Sequence, residues 1–139
     1  MLDLPFNHTV TIIIITVIIS MVAFSNQNVM NRLIFWPPAM QRGQYDRFIT
    51  HGFIHADGMH LLFNMFTLFF FGSIIESFYR QYFYELGFIL FYLGGLIFAI
   101  LPSYLKHKND VRWASLGASG AVSAVLFAYV LFEPWKLIF

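Results

Sequence analysis

The sequence predicts an all-α fold, a polytopic transmembrane helical bundle with about four membrane-crossing helices. Three observations carry that expectation. Hydrophobic residues fill 59% of the 139 positions and charged residues only 11%, against about 25% charged in soluble domains. Apolar runs approaching the ~20 residues that cross a bilayer recur along the chain. Most of the Lys, Arg and Asp residues fall in the connections between those runs. A very hydrophobic soluble helical protein is the weaker alternative. The length allows one domain, over 1–139. A net charge of +1 argues against nucleic acid as a partner, and the lipid bilayer is the partner that the composition implies. The sequence has no cysteine, which excludes disulfides, thiolate chemistry and cysteine-based zinc sites.

The elements follow in order. Residues 1–9 contain no Lys or Arg, whereas a secretory signal peptide opens on a basic segment. The Ile- and Val-rich run Val10 to Phe24 therefore reads as a retained membrane helix, which Leu4 to Thr9 can lengthen. Residues 25–58 form a long connection that holds Arg32, Arg42, Asp46 and Arg47, the break Trp36-Pro37-Pro38, and several large apolar residues. Trp and Tyr favour the lipid–water interface, so this reads as a structured interfacial loop with short helices. Long ordered loops tend to be functional. A second span is expected from Met59 to Phe78, with Glu76 and Arg80 at its exit. A third is expected from Phe83 to Leu101, ended by Pro102. Ser103 to Ala114 is a polar loop, and a fourth apolar segment begins near Ser115 and runs to Phe132. Leu137-Ile138-Phe139 then opens another apolar run, so the chain reads as part of a larger membrane protein with six or more spans.

Chemistry concentrates in two stretches. His60 and Asn64 stand four apart at the start of the second span and share one helix face. Polar side chains at membrane depth face a protein interior or a wet cavity. Gly117-Ala118-Ser119-Gly120 opens the fourth helix, where unpaired amides and the positive end of the helix dipole can stabilise an oxyanion. Glycines on either side let a backbone or substrate come close. Each stretch also has a plain structural reading. Gly-x-Ser-Gly occurs in simple helix packing, and a His–Asn pair can hydrogen-bond across helices. A metal reading of His51, His55 and His60 lacks a His-Glu-x-x-His pattern or a carboxylate at helical spacing, so no metal and no cofactor are expected.

Taken together, the pattern His55-x4-His60-x3-Asn64, then Glu76, then Gly117-x-Ser119-Gly120, resembles the rhomboid family of intramembrane serine proteases. The resemblance covers the chain from about Arg47 onward. It implies a rhomboid-like fold and cleavage of transmembrane protein substrates in a membrane such as the bacterial inner membrane. It implies Ser119 as nucleophile, His60 and Asn64 as oxyanion stabilisers beside the Ser119 amide, and Gly117 as a point of close approach. His55 and Gly120 would shape the site, and Glu76 would make a structural hydrogen bond near the opposite membrane face. Arg47 falls where rhomboids keep a Trp-Arg pair, but Asp46 stands here in place of the Trp. Rhomboids use a Ser–His dyad whose His lies on a later helix, and no histidine of this chain fits that position, so the 139 residues alone are expected to be inactive. A non-catalytic, helix-binding homologue is the competing class.

Two further expectations follow. The long loops carry Arg32, Arg42, Arg47, Lys106, Lys108 and Arg112, which the positive-inside rule would place in the cytoplasm. The resemblance instead puts the first loop and the serine opening outside. Gly117, Gly120, Ala121, Ala124 and Ala128 line a small-residue stripe, expected to stay open for a later helix rather than to pack on the third span.

Overall fold

The structure, a computed structural model, describes residues 7–136. Leu4, Pro5 and Phe6 of the proposed first-span extension, and Leu137-Ile138-Phe139, lie outside the described residues. Among the described residues seven α-helices follow one another: α1 His8–Ser25, α2 Gln27–Leu33, α3 Pro37–Gln41, α4 Arg47–Thr50, α5 Gly58–Tyr82, α6 Gly87–His107 and α7 Ser119–Phe132. A 3₁₀ turn, His51–Phe53, follows α4. The chain is an all-α helical membrane bundle, in which α1, α5 and α6 are long and apolar enough to cross a bilayer and α7 is a shorter apolar helix.

Each terminus has a local cause. Asn7 caps α1 by accepting from the Val10 amide, and Asp57 caps α5 by accepting from the His60 amide at 2.8 Å. Pro37 and Pro38 start α3, where a missing N–H is no loss. Helix α6 departs from expectation at both ends. It starts at Gly87 and continues through Pro102 to His107. Membrane helices tolerate an internal proline when neighbouring structure compensates. Here the extra turn carries Tyr104 into an edge-to-face cluster with Phe35 and Phe48, at 5.6 and 5.7 Å between ring centres.

The fourth segment becomes helical at Ser119 rather than near Ser115. Ser115 pairs with Phe35 in an isolated antiparallel bridge, with N–H···O distances of 2.9 and 3.0 Å. Gly117 then takes φ +111°, a left-handed conformation open to glycine and incompatible with helix. The helix is short as a result, and its start is sunk into the bundle. Helix α7 runs alongside α5 in the same direction, with Phe132 stacked on Phe78 at 4.0 Å and Tyr129 against Phe71. At 1.5 Å per residue, α7 covers about 20 Å back from that stack, while α5 from Gly58 covers about 30 Å. The start of α7 therefore falls short of the start of α5, and His60 in the first turn of α5 reaches to Gly117 just before it.

The core is the contact of α1 and α7 with the central α5, closed by α6 through Phe88, Tyr92 and Leu96. The small-residue stripe is not open. Gly120 sits directly on Ala99, and Gly95 faces the Ala121 Cα and the Ala124 Cβ, so α6 covers it. The close approach that small residues permit is used inside this chain. The face that α7 leaves exposed carries Ser119, Ser123, Phe127 and Leu131.

Candidate active site

Ser119 is the first residue of α7, and its side chain is exposed. No side chain caps this helix: Ala118 stands at the N-cap and contributes only its carbonyl, which accepts from Val122 N–H at 2.9 Å. The first amides of a helix have no partner within it, so those of Ser119 and Gly120 remain free to hold negative charge with help from the helix dipole.

The segment that delivers Ser119 is clamped from two sides. Gly117 N–H donates to His51 O at 2.8 Å, and Ala118 N–H donates to His55 Nε2 at 3.2 Å. The His55 ring is completely buried. Its Nδ1 lies 3.1 Å from Ser20 Oγ, which itself donates to Phe53 O at 2.9 Å. The hydroxyl proton is thus committed to the carbonyl, so Nδ1 must carry the ring proton and Nε2 must be the acceptor. That assignment needs a neutral ring. Burial, and then the charge of His60, lower the His55 pKa to about 4. Burial likewise lowers the His51 pKa, while its Nδ1 binds Arg47 O at 2.9 Å.

His60 lies edge-on to His55, 4.9 Å between ring centres. Its ring covers Gly117: a Cβ there would fall 2.7 Å from His60 Cε1 and 3.1 Å from Nε2. Glycine at 117 thus serves both a left-handed backbone and a close approach to the imidazole. Ala56 N–H reaches His60 Nδ1 at a long 3.5 Å, which favours a proton on Nε2, the nitrogen facing Gly117. Asn64 is buried one turn further along α5 and donates one amide hydrogen to His60 O at 2.9 Å, keeping the other. Gly120 has no room for a side chain against Ala99.

Two residues singled out in the sequence sit away from this cluster. The buried Arg47 organises the long connection, donating to Asn31 O, Ile34 O and Gln44 Oε1. Glu76 lies at the other end of the bundle, where its carboxylate accepts from His8 N–H, Thr9 N–H and Thr9 Oγ1 at 2.6, 2.9 and 2.7 Å. A carboxylate on the free amides of α1 is favoured by the helix dipole, and Arg80 lies 3.3 Å from the same group. Sequence reasoning passed over Ser20 and Phe35. A hydroxyl face was readable, however: Thr9, Thr16 and Ser20 recur at spacings of seven and four and are all buried.

No histidine ring is hydrogen-bonded to Ser119 among the described residues: the His51 ring binds Arg47 O, the His55 ring Ser20 and Ala118, the His60 ring takes the Ala56 amide and covers Gly117, the His107 ring stacks on Trp113, and the His8 ring lies at the Glu76 end of the bundle with its Nε2 buried and unpartnered. The geometry therefore offers a hydroxyl, free amides and two side-chain donors, without a base on that hydroxyl among the described residues.

The rhomboid domain family matches residues 42–138. A rhomboid protease GlpG from Enterobacter sp. (strain 638) is 32% identical over 126 residues, covering 88% of this chain and 41% of the relative. The mitochondrial RHOMBOID-like protein 12 of Arabidopsis thaliana is 30% identical over 123 residues, covering 80% of this chain and 36% of the relative. The chain thus spans about two fifths of the length of these relatives.

Proposed function

The chain belongs to the rhomboid family, and from that premise we propose that it is the nucleophile-bearing part of an intramembrane serine endopeptidase that cleaves transmembrane protein substrates. The observation that carries the reading is the clamp on Gly117 and Ala118, which holds an exposed Ser119 at an uncapped helix start, two residues after the Gly117 that the His60 ring covers. Ser119 Oγ attacks the scissile carbonyl. The oxyanion is met by the Ser119 amide, the His60 Nε2–H and the free Asn64 amide hydrogen, all donors of the kind that preorganised sites use.

Serine needs a base within about 2.6–3.2 Å. In this reading it is a histidine supplied by a membrane helix outside the described residues, which packs on the α7 face that carries Ser119, Ser123 and Phe127. The 139 residues alone are then inactive. The bilayer is the working medium, and we place the multi-pass protein in a bacterial inner membrane, the GlpG relative being from a bacterium. Substrates would reach Ser119 at the recessed start of α7, where polar side chains face a wet cavity.

The test is cleavage of a single-span substrate in liposomes by the protein as its gene encodes it. Ser119→Ala abolishes turnover. Cleavage that survives this substitution would sink the reading.

A further inference from the structure

The long connection and the turn after α6 meet at one end of the bundle. Gln41 Nε2 donates to Lys108 O at 2.8 Å, and Trp36 Nε1 donates to Val111 O at 2.9 Å. Six cations stand at this end (Arg32, Arg42, Arg47, Lys106, Lys108, Arg112) with three acids (Asp46, Asp57, Asp110), a balance of +3. The described residues at the opposite end, Arg80 and Lys136 against Glu76, Glu85 and Glu133, give −1.

The cations at the positive end differ in what they do. Arg32 pairs with Asp46 at 3.0 Å, and Arg47 is buried on backbone carbonyls. Arg42 lies over the Trp36 ring, 5.8 Å from its centre. Lys106 and Arg112 line a groove of about 680 Å³ together with His107, Asn109 and Asp110, and Lys108 is exposed in the same turn. The Asp110 carboxylate accepts from the Arg112 amide rather than from its guanidinium. Leu105 and Val111, the chain neighbours of the lining residues Lys106, Asp110 and Arg112, are 58% and 66% exposed.

Helix α6 is long and apolar enough to cross the membrane, so its last turn stands where acyl chains give way to headgroups. A free anion has no use for exposed Leu105 and Val111 beside the cations; a lipid offers a phosphate to one and hydrocarbon to the other. We propose that this groove binds the phosphate headgroup of an anionic phospholipid, with Lys106, Lys108 and Arg112 on the phosphate, Arg42 at the rim and Leu105 against the acyl chain. The proposal stands independently of the protease reading.

The experiment uses the full-length protein in a neutral detergent. Phosphatidylglycerol and phosphatidylcholine are titrated separately, and bound lipid is counted by native mass spectrometry. Trp113, stacked on His107 at 4.7 Å, reports occupancy by fluorescence. The parent retains phosphatidylglycerol and not phosphatidylcholine. Combining Lys106→Gln, Lys108→Gln and Arg112→Gln weakens retention about 100-fold, since each cation near an anionic surface contributes comparably. Lys106→Gln alone weakens it about 5-fold and serves if the triple variant misfolds. Arg80→Gln, at the opposite end, leaves it unchanged. Equal retention of both lipids, undiminished retention by the Gln variants, or displacement of the lipid by inorganic phosphate at equal concentration would overturn the proposal.

Discussion

The α1–α5 seam and the α6–α7 seam join membrane helices by opposite means. Along α1 the buried residues include Thr9, Thr16 and Ser20, and the seam is tied at both ends: by Glu76 on the amides of His8 and Thr9, and by Ser20 on His55. Between α6 and α7 the contact is made by Gly95, Ala99, Gly120, Ala121 and Ala124, and no side-chain hydrogen bond joins the two helices among the described residues. Lipid is as apolar as leucine, so neither seam gains from hydrophobic burial; each relies on one of the two remaining sources, hydrogen bonding or close packing. The difference bears on the site. The packed seam holds the body of α7 and the hydrogen-bonded seam holds the loop before it, so Ser119 is placed where the two systems meet.

The contrast can be broken from either side. The largest effect is expected on the hydrogen-bonded seam. Glu76→Ala strips acceptors from two amides and a hydroxyl in a buried place, and each orphaned group costs about 1–3 kcal/mol; a loss of about 3 kcal/mol or more in reversible unfolding in micelles follows. Unchanged stability would mean that this seam is not held by its hydrogen bonds. On the packed seam, Ala121→Leu should cost about 1–3 kcal/mol by overpacking. The effect must appear in the 139-residue chain itself, because the Ala121 Cα lies only 3.0 Å from where a Gly95 Cβ would stand. Indifference of the short chain would return the stripe to an absent helix.

A smaller effect is expected from Ser20→Ala, about 1–2 kcal/mol, since the hydroxyl's bond to Phe53 O and its bond from the neutral His55 ring are both lost. The same link makes a prediction about pH. The folded pKa of His55, lowered to about 4 by burial and then by His60, lies below the ~6.5 of a free imidazole. The unfolded chain therefore binds more protons between these values, and the contribution of neutral His55 is complete above about pH 6.5 and lost as pH falls toward 4. Unfolding measured across that window should slope downward on the acid side in the parent and less so in His55→Gln. Parallel profiles would remove His55 from the clamp.

Much of this fold was legible because composition alone separates membrane helices from connections. What escaped was set by tertiary contacts. Pro102 reads as a stop, yet α6 passes it because Tyr104 is needed by the aromatic cluster around Phe35. Ser115 reads as helix until its backbone is seen to pair with Phe35, some eighty residues earlier. The small residues of α7 announced a close neighbour without saying which helix it was. At the site, spacing drew attention to His55, His60, Asn64, Gly117 and Ser119, and the structure brings His55, His60 and Gly117 into contact. Ser20 carries no local signature in an Ile-rich run, and only its periodicity with Thr9 and Thr16 could have marked it.

The central claim is that Ser119 is a nucleophile flanked by preorganised donors, and it is tested most directly by active-site labelling. The full-length protein in native membranes is treated with a fluorophosphonate, and the adduct is mapped and timed by mass spectrometry. The account predicts a single adduct on Ser119. It predicts a rate about 10²–10³ lower in Asn64→Ala, the range seen when one oxyanion donor is removed, and no adduct on the 139-residue chain alone. An adduct on Ser123 instead, or labelling of Ser119 at the parental rate in Asn64→Ala and His60→Ala alike, would contradict it.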